Sequence, residues 1–234
     1  MRQFDVAERN RQRQGLGVTL LPRQDFTIGL NGTRTRDKYP DSQFGLQAQN
    51  TDNYTVDATL TPDESQSWSL YYTRQNMMWQ QSSRAYNSFQ KASGSANPAN
   101  DWTAQHQDKI DSVGVNVTWV VLDDKLSLRL GYDYAASKTD INFSANPAST
   151  VNTPPTDMPT LRGKRHTLEL SGTYTVRDNL TARAGATLES YRVNDWATDG
   201  FAPGSSSVPD VLLLSGSTGS YRAVILHTTL TCRF

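Results

Sequence analysis

Apolar and polar residues alternate with period two along much of this chain, most cleanly from Gly163 to Tyr191, GKRHTLELSGTYTVRDNLTARAGATLESY. His166, Leu168, Leu170, Gly172, Tyr174 and Val176 interleave with Thr167, Glu169, Ser171, Thr173 and Thr175. After the turn Val176-Arg177-Asp178-Asn179, Leu180, Ala182, Ala184, Ala186 and Leu188 interleave with Thr181, Arg183, Gly185, Thr187 and Glu189. A helix would scatter these charges around its circumference, whereas a strand puts Glu169 and Arg183 on one face and the aliphatics on the other. The stretch predicts an amphipathic β-hairpin. Its arms are longer than the usual strand of about 5–6 residues and close to the roughly 9–11 that a tilted strand needs to cross a bilayer.

The design recurs. Arg11 to Leu21 presents Leu16, Val18 and Leu20, turns at Pro22-Arg23-Gln24-Asp25, and returns with Phe26, Ile28 and Leu30. Tyr54, Val56, Ala58 and Leu60 lead to Pro62-Asp63-Glu64-Ser65 and back through Trp68, Leu70 and Tyr72. Val113, Val115, Val117, Trp119 and Val121 lead to Leu122-Asp123-Asp124-Lys125 and back through Leu126, Leu128, Leu130, Tyr132 and Tyr134. A last strand, Tyr221 to Phe234, sets Val224, Leu226, Leu230, Cys232 and Phe234 against Ala223, His227, Thr229, Thr231 and Arg233, with Ile225 breaking the alternation. The turns LLPRQDFTIGL, LTPDESQSWSL, VVLDDKLSLRL and YTVRDNLTARA form a weak repeat, one supersecondary unit used again and again.

Between the hairpins lie polar stretches that read as long loops, about 35–52, 75–107, 144–162 and 194–220. Antiparallel strands place successive connections at opposite ends, so one end carries only tight turns and the other only long loops. Outer-membrane barrels show this asymmetry, with short periplasmic turns and longer extracellular loops. The fold class predicted is all-β, an antiparallel transmembrane β-barrel of outer-membrane type. Residues 1–234 form one segment of it, about nine strands of a larger barrel, with the C-terminus at the tight-turn end and Met1 on the external side.

Composition narrows the choice. Lys plus Arg, 23, balance Asp plus Glu, 23, so no basic field points to nucleic acid. The hydrophobic fraction is 36% and mean hydropathy is −0.62, values that a barrel with a polar lumen and polar loops reaches as readily as a soluble chain. No run approaches 18 apolar residues, which excludes a membrane helix. The opening MRQFDVAERNRQRQGLG has no apolar signal region, and the strand count is odd; both are expected of a piece of a longer barrel. Cys232 is the only cysteine, so the chain has no CxxCH motif and attaches no haem covalently. His106, His166 and His227 lack metal-ligand spacing, and no nucleophile elbow, Gly-rich phosphate loop or tight carboxylate pair occurs, so neither catalysis nor a metal site is predicted.

The segments DKLSLRLGYDYAASKTD and LRGKRHTLELSGTYTVRDNLTARAGATLESYRVNDW, the closing strand ending in Arg233-Phe234, and the opening RQFDVAERNRQR resemble the MtrB/PioB family of decahaem-associated outer-membrane proteins. The resemblance implies a barrel that sheathes a periplasmic multihaem c-type cytochrome and docks it to an extracellular one. Electrons would then cross the outer membrane through haem carried by the partners. Outer-membrane lipid and the barrel-assembly machinery are the other partners implied.

Within this reading Arg129, Asp133, Glu169, Arg183, His227 and Arg233 are lumen-facing candidates, because a charge on the lipid face would cost about 2–4 kcal/mol at mid-depth. Trp68, Trp119, Tyr132, Tyr134, Tyr174 and Tyr191 fall near strand ends and are candidates for the aromatic belt, and Phe234 for the C-terminal assembly signal. Two rivals stand beside it. A general porin or substrate channel would use 75–107 as a charged constricting loop. A soluble β-sandwich would pack its aliphatic faces together and bind carbohydrate through Trp79 and Trp102.

Overall fold

A computed structural model of the chain describes residues 8–85, 97–122, 125–148, 157–194 and 219–233. Among them nine strands form: β1 (Asn10–Arg23), β2 (Phe26–Lys38), β3 (Gly45–Asp63), β4 (Gln66–Arg84), β5 (Asp101–Val121), β6 (Leu126–Ala145), β7 (Met158–Arg177), β8 (Leu180–Asn194) and β9 (Tyr221–Cys232). They make one antiparallel sheet in sequence order, a continuous meander whose edges are β1 and β9. Among the described residues the only helical piece is a single 3-10 turn, Pro98–Asn100, and no described helix is long and apolar enough to cross a membrane.

Each predicted tight turn is present. Register shifts of the bulge kind precede three of them, between Leu20 and Arg23, Leu60 and Asp63, and Thr175 and Arg177. At the fourth, Leu122 takes a left-handed φ of 57° and its carbonyl accepts from the Lys125 amide at 3.0 Å.

The opposite connections are shorter than the hydrophobic pattern predicts. Residues 35–38 continue β2, 45–52 open β3, 75–84 extend β4, 101–107 open β5 and 158–162 open β7. Between β8 and β9, residues 195–218 of the last predicted loop lie outside the described residues. The physical reason is that neither side of these strand halves meets hydrocarbon, so the regular apolar–polar alternation that marks a membrane strand is lost there.

Register fixes two faces, because directly opposed residues in a pair point the same way. Leu16, Leu30, Val56, Leu70, Val115, Leu130, Leu168, Leu188 and Val224 share the apolar face. This face is bare: Leu170 is 56% exposed and Leu226 76%, and the only buried apolar residues are Tyr39 and Ala104 among the described ones. Among the described residues no second layer packs against it and all nine strands belong to one sheet, which overturns the sandwich alternative. The apolar run Val113 to Val121 of β5 spans about 27 Å along the strand, or some 20 Å at a tilt near 40°, comparable to the roughly 25 Å apolar band of outer-membrane barrels.

The strands outrun that band. β5 has 21 residues, and its first half, with those of its neighbours, continues beyond the hydrocarbon at the long-loop end. There the same face turns basic, with Arg34, Arg36, Arg74, Lys109, Lys138, Lys164, Arg192 and Arg222 against Asp52, Asp111 and Asp140.

Candidate functional site

The opposite face is concave and polar. One rung of its register runs Gly29, Asp57, Tyr71, Gly114, Asp133, Thr167, Glu189, Ala223 from β2 to β9. Tyr71 of β4 lies over Gly114 of β5, and its hydroxyl donates to Asp133 of β6, so it reaches across two strand spacings, about 9.6 Å. Only glycine at 114 permits this, since a Cβ there would strike the Tyr71 ring and the Asp133 carboxylate. At Gly185 a Cβ would meet the His227 ring at 2.6 Å and Ser171 Cβ at 2.8 Å, so residues from β7 and β9 converge over β8. Such reach between alternate strands identifies the inward-curving side.

The predicted lumenal residues that lie within strands, Arg129, Asp133, Glu169, Arg183 and His227, share this face, but they are not one cluster. Arg183 Nη2 lies 3.8 Å from Glu169 Oε1, and Arg129 donates to Asn116 Oδ1 at 3.3 Å. Asp133 is held by Tyr71, and His227 covers Gly185. Arg233 follows β9, its backbone amide bonded to the Asn179 carbonyl at 2.9 Å, and joins none of the others. Three residues outside the predicted set complete the centre: Tyr71, Arg165 and Glu189. With Asp133 and Thr167 they line a polar recess of about 380 Å³. Glu189 accepts from Thr167 at 3.4 Å and from the Tyr221 hydroxyl. Glu189 shares the parity of Arg183 along β8, a signal present in the sequence; the reach of Tyr71 across two strands is not. Between these groups the face is paved with Ser112, Gly131, Ser171, Gly185 and Thr187.

The aromatic candidates divide. Trp68, Trp119 and Tyr174 stand on the apolar face near the tight turns, and Tyr132 and Tyr134 on the same face toward the long-loop end, where Tyr54 and Tyr72 join them. Tyr191 is a correction: it opposes Arg165 and tilts against Tyr221, ring centres 5.7 Å apart, on the concave polar face, because position 191 has the parity of Glu189. Phe234 lies outside the described residues.

Beyond the band, cross-strand ion pairs replace the lost hydrophobic signal. Arg11 grips Asp37 through two bonds of 2.7 Å and Arg34 reaches Asp52 at 2.6 Å, each pair directly opposed in register. Arg84 and Asp101 pair likewise. The hydrogen bonds from Arg11 and Arg84 hold the Asp37 and Asp101 carboxyls below the usual carboxylate range. Trp79 and Trp102, expected in a carbohydrate-binding loop, are strand residues turned to their neighbours: Trp79 stacks on His106 at 4.9 Å and Trp102 tilts against Phe143 at 5.5 Å. With 75–84 and 101–107 in strands, a constricting loop spanning 75–107 is excluded. The three histidines stand apart on β5, β7 and β9, and no group of three metal-ligating side chains occurs among the described residues.

One lipid-length apolar face, one polar concave face, tight turns at one end and a sheet without a core define the wall of an outer-membrane β-barrel. Solved barrels share the fold. The chain superposes on the copper transporter OprC with a TM-score of 0.62 and 12% identity, covering 96% of this chain and 34% of that one. It superposes on the ferric citrate transporter FecA with a TM-score of 0.57 and 10% identity, covering 96% and 33%. Residues 1–234 match the outer membrane β-barrel porin family MtrB/PioB, and the chain belongs to that family and to the outer membrane. It is 25% identical over 201 residues to outer membrane protein MtrB of Shewanella baltica (strain OS185), covering 85% of this chain and 26% of that protein's length.

Proposed function

We propose that this wall encloses a multihaem c-type cytochrome and positions it for electron transfer across the outer membrane. The lumenal candidates Arg129, Asp133, Glu169, Arg183, His227 and Arg233 serve as its polar contact surface, and the chain has a structural rather than catalytic role. The observation that carries the reading is the concave face. Its charges are of both signs, Glu169 set against Arg183 and Asp133, Arg129 and Glu189 held by the neutral side chains of Tyr71, Asn116, Thr167 and Tyr221, and Ser, Thr and Gly between them leave a low-relief surface on which a folded protein can rest. The likeness to MtrB along 85% of the chain supports the same reading. The aromatics at the two ends of the apolar face act as interfacial girdles, and Phe234 as the signal for barrel assembly. Haem belongs to the partner.

Purification from outer membranes of cells that make a decahaem cytochrome tests this. Haem absorbance should co-elute with the barrel in constant ratio, and planar bilayers should record little ionic current until the cytochrome is removed. Current from material that never carried haem would establish a water-filled porin instead.

A further inference from the structure

The outward face carries a feature that a haem sheath does not require. Between β1, β2 and β3 the apolar band is interrupted by a groove of about 620 Å³. Leu16, Val18, Leu30, Gly32, Tyr54 and Val56 line it, and the gap exists because Gly32 stands in register between Leu16 and Tyr54 with no side chain of its own. Immediately beyond, toward the long-loop end, a second recess of about 410 Å³ opens on the same face. Arg34 lines both, so the two adjoin.

The second recess is cationic. Arg34, Arg36, Arg74 and Lys109 line it together with Asp52. Arg34 is engaged by Asp52 at 2.6 Å and Arg74 by Asp111 at 3.6 Å, while Arg36 and Lys109 make no ion pair among the described residues. Four cations against two carboxylates leave a site short of two negative charges. Guanidinium and ammonium groups collected at an interface suit phosphate, which accepts several charge-assisted bonds at once. Basic clusters at membrane level are a recurrent way of holding anionic headgroups.

A free anion would have no use for the groove, and an uncharged lipid none for the recess. We infer that β1–β5 form a binding site for an acylated, phosphate-bearing lipid of the external leaflet. One acyl chain fills the groove at Gly32, and the phosphate sits between Arg36 and Lys109. The position agrees: the groove lies in the external half of the apolar band and the recess where the strands leave it.

The chain, extracted into an uncharged maltoside detergent, is titrated with diphosphoryl lipid A, with phosphatidylcholine and with inorganic phosphate, and bound molecules are counted by native mass spectrometry. Lipid A should be retained in preference to phosphatidylcholine and should not be displaced by inorganic phosphate. Arg36→Gln with Lys109→Gln removes no ion pair of the fold and should weaken lipid A binding roughly thirtyfold, the loss expected of two interfacial cations. Gly32→Leu should fill the groove and also weaken it; the substitution is sterically open, since the nearest atom to a Cβ is Tyr54 Cδ1 at 3.6 Å. Circular dichroism reports that each variant keeps its strands. Equal retention of the two lipids, or indifference to the double variant, would overturn the headgroup site. Displacement by inorganic phosphate together with indifference to Gly32→Leu would reduce it to an anion site and overturn the lipid.

Discussion

At the scale of single residues the concave face depends on a few glycines that let side chains cross strands. Tyr71, Gly114 and Asp133 are the clearest case: the ring needs the space that a β-carbon at 114 would occupy, and the ring in turn carries the hydroxyl to the carboxylate. Overpacking of this kind costs about 1–3 kcal/mol, so Gly114→Ala should lower unfolding stability in micelles by that amount. The cost should vanish in a Tyr71→Ala background, because the clash needs both partners. If Gly114→Ala costs the same with and without the ring, backbone propensity rather than the crossing explains the glycine. Parity along each strand is enough to place Asp133, Glu169, Arg183 and His227 together on one face. It does not show the crossing of Tyr71, which depends on curvature, and at Tyr191 the odd position shared with Glu189, not proximity to a strand end, decides the face.

At the scale of strands, two kinds of sequence build one element. The half inside the bilayer is marked by alternation, since one face must satisfy hydrocarbon; the half beyond it has water on both sides and is marked instead by opposed charges such as Arg11–Asp37, Arg34–Asp52 and Arg84–Asp101. For this reason the hydrophobic pattern marks each of the nine described strands yet reads outer halves such as 75–84 and 101–107 as loop. The two halves should also respond differently to mutation. Leu170→Arg, at the middle of the apolar face, should destabilise by about 2–4 kcal/mol in lipid. Lys138→Ala, which removes the 2.7 Å pair with Asp140 beyond the band, should cost no more than about 1 kcal/mol, the usual worth of a solvated pair. Urea titration of the protein in vesicles compares them directly, and equal costs would mean that the band has been placed at the wrong height.

At the scale of the whole sheet, the decisive property is that it has two edges and no core. Water can satisfy an unpaired strand edge, but hydrocarbon cannot, and each bare amide or carbonyl there costs several kcal/mol. Across the apolar band of β1 and β9 that penalty recurs at every second residue, more than the exposed aliphatics of the same strands can offset. In a membrane, then, β1 and β9 must each hydrogen-bond to a further strand, whether from the remainder of a barrel or from another copy. Hydrogen exchange reads this out. In native membranes the outward amides of β1 and β9 within the band should exchange as slowly as those of β5. In the chain extracted into detergent, where water reaches the edges, they should exchange roughly 2- to 12-fold faster, the equivalent of exchanging one hydrogen bond of about 0.5–1.5 kcal/mol for water. β5 should be the same in both settings, because its neighbours β4 and β6 belong to the chain itself. Fast exchange of the edges in the membrane as well would mean that an open sheet can persist in lipid, and the need for closing strands would fall with it.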